Sequence, residues 1–430
     1  MMKKKNFVWI ILALIMVLAP LNAQAKPRET FTKILLPNGL TLLYRVMKDQ
    51  PMVSMCAAVP IGMNFPKRSM AHLTEHMIFR GNSQYSFTNI LDVTSRLGGT
   101  FDGETSFDAT FFKYIVPKSG FTEAFKVFNS VLWNAGLSEE NMALEQKIVV
   151  HEAEMNYPSR LEMYPILHYF YPQNNDTVAT VYGITPQDLK DYYRSFYQPA
   201  NVTYIIAGDF QPEMVIAALK QLKNIYGDSH QQISDVTIKD LDLPHGDIAE
   251  ERNIDPFQFQ ILLAYEFEGL SPAERMILRV LSYLYGQTRR IHYERNELQD
   301  YYVMMRSIGS KDFFGLYYLE RDRPYNQQIY SEEKANLLKL IRQFQKVDIQ
   351  KQLKMVTFLV EMEQAQSNNS PSEALDYELQ RLIDPESITV DSLSILKKLD
   401  HKDLQSVIHK CFSQPPTFSV LVKNAVEGGN

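Results

Sequence analysis

The sequence predicts an α+β protein made of two structurally similar domains. The chain has 430 residues, which exceeds the roughly 250–300 residues that a single hydrophobic core usually serves. Strand-like and helix-like periodicities alternate along the chain and recur in the same order in both halves. A polar stretch between Gly227 and Gly246 separates the halves. We therefore predict one domain at 26–230, a linker at 231–247 and a second domain at 248–430.

The first half begins with a predicted strand pair. Pro37-Asn38-Gly39 is a turn signal with apolar residues on both sides, within residues 34–46. A helix follows the next strand, because Met70, Leu73, Met77 and Ile78 recur at helical spacing. The full set of predicted elements is a strand at 53–59, a helix at 69–80, a strand at 105–116, helices at 120–134 and 138–156, and a strand at 202–207.

The second half repeats this alternation of strands and helices. An alternating apolar pattern predicts a strand at 257–267, and a helical pattern follows it at 272–285. Further on, the pattern predicts a strand at 313–319, long helices between 332 and 366, and a last strand at 417–422. The common order of elements suggests a structural duplication.

Charge and composition exclude several classes of protein. The 44 Lys and Arg residues and 50 Asp and Glu residues give a formal charge of −6, which argues against a basic nucleic-acid-binding protein. Hydrophobic residues make up 45% of the chain, with only 18 Gly and 21 Pro, unlike a disordered or collagenous chain. Two cysteines cannot form a disulfide framework, and the sequence leaves open whether Cys56 and Cys411 pair.

The amino terminus predicts a secretory signal peptide at residues 1–25. Three lysines precede an apolar run over residues 7–18, and Pro20 and Ala23-Gln24-Ala25 follow it. The alternative is an uncleaved membrane anchor, but the run is shorter than the about 20 residues that span a bilayer. We therefore expect an exported protein, periplasmic or secreted, without a stable membrane anchor after cleavage.

The candidate chemistry lies in His72-Leu73-Thr74-Glu75-His76. On a helix, residues four apart share one face, so His72 and His76 can direct their imidazoles to one metal ion. A catalytic zinc needs a third protein ligand and an open position. Predicted helix 138–156 offers carboxylates at Glu145, Glu152 and Glu154. The alternative is that all of these are ordinary surface residues of amphipathic helices.

Residues 32–209 resemble the pitrilysin/insulinase family of zinc metallopeptidases, the inverzincins, especially the smaller members similar to mitochondrial processing peptidase. His72–His76 carries the HxxEH signature of that family. Further similar segments are Leu36-Pro37-Asn38-Gly39-Leu40, Gly98-Gly99-Thr100 with Thr105-Ser106, and Tyr197-Gln198-Pro199-Ala200-Asn201 with Gly208-Asp209. The resemblance implies that each domain is a mostly antiparallel sheet packed with helices.

The resemblance also implies a ligand set and a reaction. In the family the third ligand is a Glu some 74 to 76 residues beyond the second His, so one Zn²⁺ per chain would be held by His72, His76 and Glu152. Glu75 would be the general base of a zinc-dependent endopeptidase that hydrolyses peptides or unfolded segments. Glu145 would belong to the catalytic site by orienting a ligand or Glu75. Its alternative is a plain solvent-facing acid.

This sequence matches the family's substrate-binding residues less completely than its metal-binding motif. The family usually has Asn and Ala after the double glycine, whereas this chain has Phe101-Asp102-Gly103-Glu104. Asp102 could accept a hydrogen bond from substrate backbone. The family carries an Arg and a Tyr seven apart in the second half, and Arg295 and Tyr302 have that spacing, although a solvated Arg295 and a core Tyr302 are equally consistent.

The size of the chain bears on its assembly and on the rival functions. Full family enzymes enclose peptide with four such domains, so a two-domain chain predicts a homodimer, or a heterodimer with a related subunit.

The rival functions are a catalytically silent peptide-binding or scaffold subunit, and a metal hydrolase that acts on substrates other than peptides. The silent relatives usually lack zinc ligands, and none is lost here.

Overall fold

The computed structural model describes eleven segments of the chain, and every structural statement below refers to them. These are residues 30–62, 68–106, 109–155, 178–222, 245–252, 256–294, 301–308, 311–320, 322–344, 349–383 and 397–425. The predicted signal peptide at 1–25 and residues 231–244 of the predicted linker lie outside them. No helix in these segments is both long and apolar enough to cross a membrane.

The first half folds around a six-stranded sheet. Its strands are β1 (Thr32–Leu35), β2 (Thr41–Val46), β3 (Met52–Val59), β4 (Thr100–Thr105), β5 (Thr110–Pro117) and β6 (Thr203–Gly208). Their order in the sheet is β1-β2-β6-β3-β5-β4. Only β2 and β6 run parallel, and the other neighbours are antiparallel. Strand β4 therefore forms one edge of this sheet.

The second half repeats the topology of five of these six strands, without a counterpart of β1 in the described residues. Its strands are β7 (Gly246–Arg252), β8 (Phe259–Glu268), β9 (Tyr301–Ile308), β10 (Lys311–Glu320) and β11 (Phe418–Asn424). The order β7-β11-β8-β10-β9 matches β2-β6-β3-β5-β4, and the first two strands are again the parallel pair. The predicted class is confirmed, because both sheets are mostly antiparallel and helices pack against them.

Helices fill the same two intervals in each half, between the second and third and between the fourth and fifth of the matching strands. In the first half they are α1 (Arg68–Phe79), α2 (Phe87–Arg96), α3 (Phe121–Trp133), α4 (Glu139–Met155), α5 (Val178–Tyr182), α6 (Pro186–Phe196) and α7 (Pro212–Lys220). In the second they are α8 (Pro272–Glu294), α9 (Gln327–Phe344), α10 (Ile349–Gln366), α11 (Pro371–Ile383) and α12 (His401–Phe412). Helix α7 follows the last strand of the first sheet.

Each sheet has its own hydrophobic core on the helical side. In the first half, Leu73 and Met77 of α1 and Phe128 of α3 pack with Phe112 and Tyr114 of β5, and all five are buried. A separate cluster joins α8, α9, α10 and α12 to the second sheet. The two cores explain why a chain of this length divides into two units.

One predicted strand was placed wrongly. The alternating pattern predicted a single strand at 105–116, whereas Thr105 ends β4 and β5 begins at Thr110. Between these strands, the backbone N–H of Ser106 donates to the carbonyl of Ala109 at 2.8 Å, and its hydroxyl donates to the same carbonyl at 2.9 Å. Local hydrogen bonds of this kind compete with strand pairing and leave the apolar alternation unchanged.

Helix α11 belongs to the second half of the chain but packs on the first sheet. It covers the face opposite the α1 side, where it forms one apolar cluster with strand residues (Leu43, Cys56, Ala58, Phe111, Ile205, Leu375 and Leu379). Lys113 of β5 pairs with Asp376. Arg45 of β2 donates to the side-chain oxygen of Asn368 at 2.8 Å, just before the helix. The strands β2, β6, β3 and β5 of the first sheet are thus covered on this face as well.

Shortening one buried side chain of α11 should destabilise the protein by several kcal/mol. Leu375 is fully buried against the first sheet, and we expect Leu375→Ala to lower the free energy of unfolding by about 2–5 kcal/mol because it leaves a cavity. Leu382→Ala on the same helix is the control, since Leu382 is 38% exposed. Urea denaturation followed by fluorescence measures both; equal effects would contradict this packing.

The two cysteines lie in different cores. Cys56 is buried under α11 and Cys411 is buried in the second core, and both are free thiols. Burial raises the pKa of each thiol to about 12. The structure therefore answers the question that the sequence left open, because Cys56 and Cys411 do not pair.

Candidate metal centre

Helix α1 positions the HxxEH motif. The predicted stripe is confirmed, since Met70, Leu73, Met77 and Ile78 are all buried against the first core. This burial fixes the rotation of the helix and turns His72 and His76 toward α4. Gly81 ends the helix at φ +77°, and a Cβ there would lie 2.0 Å from the carbonyl oxygen of Tyr85. Only glycine fits this close approach.

Helix α4 carries the candidate carboxylates and packs against α1. Its start agrees with the sequence, because the hydroxyl of Ser138 accepts a hydrogen bond from the N–H of Asn141 at 3.2 Å. Buried Met142 and Val149 hold the helix on the core. Glu145 and Glu152 are two turns apart and both reach the histidines of α1. The side chain of Glu154 lies outside the described residues.

Three side-chain atoms converge at the centre of the candidate site. Nε2 of His72 and Nε2 of His76 are 3.2 Å apart. Oε2 of Glu152 is 3.4 Å from the first of these nitrogens and 3.5 Å from the second. Among the described residues, this is the group of His, Cys, Asp and Glu side chains that could hold a metal ion.

Nε2 of His72, Nε2 of His76 and Oε2 of Glu152 form a triangle, called the metal triangle below. Its dimensions fit the ligand atoms of a tetrahedral metal ion. Ligand atoms at about 2.0–2.1 Å from a zinc ion lie about 3.3–3.4 Å from one another in a tetrahedron, and the three separations of 3.2, 3.4 and 3.5 Å bracket that value. Two imidazole nitrogens and one carboxylate oxygen are also the donors that catalytic zinc sites use. The side chain of Glu152 is 40% exposed, so the triangle is open to solvent on that side.

Glu145 contacts the other nitrogen of one histidine. Its Oε2 is 2.7 Å from Nδ1 of His76, and its side chain is only 4% exposed. Because a carboxylate can only accept, the ring donates from Nδ1 and keeps the lone pair on Nε2. Burial lowers the pKa of His76, but the hydrogen bond to Glu145 and the nearby carboxylates outweigh burial and raise it.

Glu75 lies beneath strand β4, on the same side of the sheet as the histidines. Its side chain is buried, and the hydroxyl of Thr105 donates to its Oε2 at 2.7 Å. Burial raises the pKa of Glu75, although Thr105 and the two histidines act in the opposite direction. A buried carboxyl group beside a metal site, with its pKa raised by burial, is a candidate for general acid/base catalysis.

Strand β4 is an edge strand of the sheet that the described residues form, and it passes beside Glu75. Phe101, Gly103 and Thr105 face α1, as the contact between Phe101 and Phe79 shows. Asp102 and Glu104 are exposed and face the opposite side of the sheet, because side chains alternate along a strand. Oδ1 of Asp102 accepts a hydrogen bond from the N–H of Gly103 at 2.9 Å. The structure therefore does not place Asp102 among the side chains that face the histidines.

The second-half candidates are only partly described. Arg295 lies outside the described residues. Tyr302 lies in β9, opposite Tyr317 of β10, and its side chain is outside the described part. Strand β9 occupies in the second sheet the edge position that β4 occupies in the first.

Two residues of the site were given no role at the metal centre from the sequence. Thr105 is the donor to Glu75, and Arg80 pairs with Glu145 from the end of α1. Arg80 follows His76 by four residues, so the helical rule that pairs His72 with His76 also places Arg80 on their face. Thr105 belongs to a segment that resembles the family, but its contact with Glu75 had no local signal, because it depends on how β4 crosses α1.

Adding a methyl group at Gly103 should disturb Glu75 and spare the metal triangle. A Cβ at Gly103 would lie 2.9 Å from Oε1 of Glu75 and 2.6 Å from a ring carbon of Phe79. We expect Gly103→Ala to displace the Glu75 carboxylate and to lower peptide hydrolysis by about 10–100-fold, with metal content unchanged. Thr100→Ala, at an exposed position of the same strand, is the control. Unchanged kcat in Gly103→Ala would contradict this close packing.

Two family profiles match the chain. The profile described as "Insulinase (Peptidase family M16)" matches residues 66–164, which include α1, β4 and α4. The profile described as "Peptidase M16 inactive domain" matches residues 183–352, which include most of the second sheet. Together they cover more than half of the chain.

Curated relatives are similar over part of the chain. "Probable zinc protease PqqL" of Escherichia coli is 25% identical over 171 residues, which is 35% of this chain and 18% of that protein. "Zinc protease PqqE" of Helicobacter pylori is 24% identical over 176 residues, 37% of this chain and 39% of that protein. The chain thus spans less than half the length of these relatives.

Solved structures share the fold over nearly the whole chain. A protease from Helicobacter pylori has a TM-score of 0.71 at 15% identity, covering 92% of this chain and 100% of that one. The periplasmic protease PqqL from Escherichia coli has a TM-score of 0.67 at 16% identity, covering 93% of this chain and 48% of that one. These likenesses show the two-unit fold.

Proposed function

Because the chain belongs to the pitrilysin/insulinase family, peptidase family M16, we propose that it is a zinc-dependent endopeptidase that hydrolyses peptides or unfolded polypeptide segments. The observation that carries the proposal is the convergence of His72, His76 and Glu152 within 3.5 Å of one another. The names of the zinc proteases PqqL and PqqE support zinc as the metal.

The chain supplies separate residues for holding the metal and for moving protons. His72, His76 and Glu152 would hold one zinc ion, which when bound supplies an activated water and polarises a peptide carbonyl. Glu75 would take a proton from the attacking water and deliver it to the leaving nitrogen, an acid/base contribution of typically 10²–10⁴-fold. Glu145 would orient His76 through its Nδ1 hydrogen.

Substrate would bind as an added strand on the edge strand β4. Backbone hydrogen bonds to β4 give affinity with little demand on sequence, and Gly103 and Thr105 bring this edge next to Glu75. The exposed carboxylates of Asp102 and Glu104 would then flank the substrate side chains on the far face. Arg295 and Tyr302 remain proposed substrate contacts from the second domain.

Export and dimerisation belong to the same proposal. The amino-terminal pattern of residues 1–25 and the printed title of the periplasmic PqqL structure support an exported protein. The relative named as a mitochondrial-processing peptidase subunit from Arabidopsis thaliana supports assembly with a partner. We propose domains at 26–230 and 248–430, in a homodimer or a heterodimer with a related subunit.

Metal content and chelator-sensitive cleavage test the function together. The purified protein is expected to contain about one zinc per chain and to cleave an unstructured fluorogenic peptide. A chelator should remove both zinc and activity, and added Zn²⁺ should restore both.

The outcomes separate the rival functions. Zinc with tight peptide binding but no cleavage would support the catalytically silent subunit. Cleavage of another class of substrate, with peptides left intact, would support a different metal hydrolase. Peptide cleavage that persists after complete zinc removal would contradict the proposed mechanism.

A further inference from the structure

On the basis of the proposed metal-dependent function, we propose that Arg80 is a positioning residue of the metal centre. It holds the Glu145 carboxylate in the one orientation that accepts the hydrogen of His76 Nδ1, and so directs His76 Nε2 at the metal. Neither the sequence motif nor the profiles that match the chain give Arg80 this task.

The two oxygens of Glu145 are divided between Arg80 and His76. Oε2 accepts from Nδ1 of His76, and Oε1 accepts from Nε and Nη2 of Arg80. His76 lies on α1, and Arg80, four positions later, directly follows the last residue of that helix. Since each oxygen has its own partner, the plane of the carboxylate is fixed, and the ring of His76 is fixed with it.

Burial makes this pairing necessary. The Glu145 side chain is 4% exposed and that of Arg80 is 17% exposed. A carboxylate that is buried without a positive partner is strongly unfavourable, so its alternative is to rotate toward water. The planar guanidinium fork meets this need better than a lysine, because it offers several N–H donors in fixed directions.

Phe87 also contacts the guanidinium of Arg80. The Cζ atom of Arg80 lies 4.8 Å from the centre of the Phe87 ring, within the range of a cation–π contact. Phe87 is the first residue of α2, and Ser86 caps that helix. A bridge between Gly81 and Ser86 closes the loop that joins the two helices. The guanidinium of Arg80 therefore contacts both a buried carboxylate and an aromatic ring.

Zinc affinity is the test, measured without peptide substrate by competition with a chromophoric chelator. We expect Arg80→Gln to weaken zinc binding by about 10–100-fold, as for other residues that orient a ligand. Arg80→Lys keeps the charge but not the fork, and should lie between Arg80→Gln and the unaltered protein. In the apoprotein, the ring ¹⁵N signals of His76 should show hydrogen on Nδ1, and Arg80→Gln should mix the two tautomers.

A double-mutant cycle separates positioning from general stability. If Arg80 acts through Glu145, the double variant Arg80→Gln/Glu145→Gln should bind zinc no more weakly than Glu145→Gln alone. Arg96→Gln is the matched control, since Arg96 forms an exposed ion pair with Glu123 at 2.5 Å that does not reach the histidines. Its zinc affinity should be unchanged.

The outcomes separate the role of Arg80 from the proposed endopeptidase function. Arg80→Gln and Arg80→Lys with unaltered zinc affinity and tautomer, or losses that add in the double variant, would overturn the role of Arg80. If Arg80→Gln does not fold, the zinc affinity of Arg80→Lys and the ring ¹⁵N signals of His76 in that variant decide instead. Zinc binding that follows these expectations in a protein that cleaves no peptide would refute only the proposed endopeptidase function, whereas an unaltered protein that binds no zinc would refute both.

Discussion

Glu75→Gln is expected to keep one zinc per chain and to lose peptide hydrolysis by about 10²–10⁴-fold or more. The amide has nearly the shape of the carboxylate, and its oxygen can still accept the hydrogen bond that Thr105 donates to Glu75 at 2.7 Å. It cannot take a proton from water. Because Glu75 is not one of the three side chains of the metal triangle, we expect the zinc affinity of Glu75→Gln to be unchanged.

The experiment needs zinc analysis and peptide kinetics on the same sample. Glu213→Gln removes an exposed carboxylate from α7 of the same domain and is the control, with full activity expected. Glu75→Gln that cleaves peptide at the rate of the unaltered protein would show that another group moves the proton. Loss of zinc together with activity would show that Glu75 supports the ion.

Glu152→Gln is expected to lose the metal and, with it, the activity. The substitution replaces the only anionic donor of the triangle with a neutral amide oxygen, whose position 3.4–3.5 Å from the two imidazole nitrogens is otherwise preserved. We expect zinc affinity to fall by about 100-fold or more, beyond the 10–100-fold of residues that only orient ligands. Activity should return in part when excess Zn²⁺ is added.

A matched control lies on the same helix. Glu140 is exposed in the first turn of α4, so Glu140→Gln removes one negative charge from the helix without touching the triangle. Zinc titration of both variants at equal ionic strength separates the loss of a ligand from a general loss of negative charge. Equal affinities in Glu152→Gln and Glu140→Gln would mean that Glu152 does not hold the ion.

The parts of the site that lie on helices were predictable from the sequence. The spacing of four between His72 and His76 and of seven between Glu145 and Glu152 follows from helical periodicity, and the structure brings these residues together. Spacing alone could not show which of the two acids would hold the metal and which would orient a histidine. That division depends on where α4 crosses α1: Glu152 meets the Nε2 atoms and Glu145 meets Nδ1 of His76.

The fold was predictable where hydrophobic periodicity is strong. Strand β3 and helices α1, α3 and α4 lie within a residue or two of their predicted bounds. The end of β4 at Thr105 was missed, because hydrogen bonds of Ser106 override the alternating pattern. The packing of α11 on the first sheet was missed as well, since contacts between residues some 300 positions apart leave no local periodic signal.

The location of α11 makes the packing of the first half depend on a helix from the second half. A fragment cut after residue 230 would keep the histidines and both acids, yet it would expose the apolar face formed by Leu43, Phe111 and Ile205. Such a bare face favours aggregation. The hydrophobic packing of the amino-terminal half is thus complete only when Pro371–Ile383 of the second half covers this face.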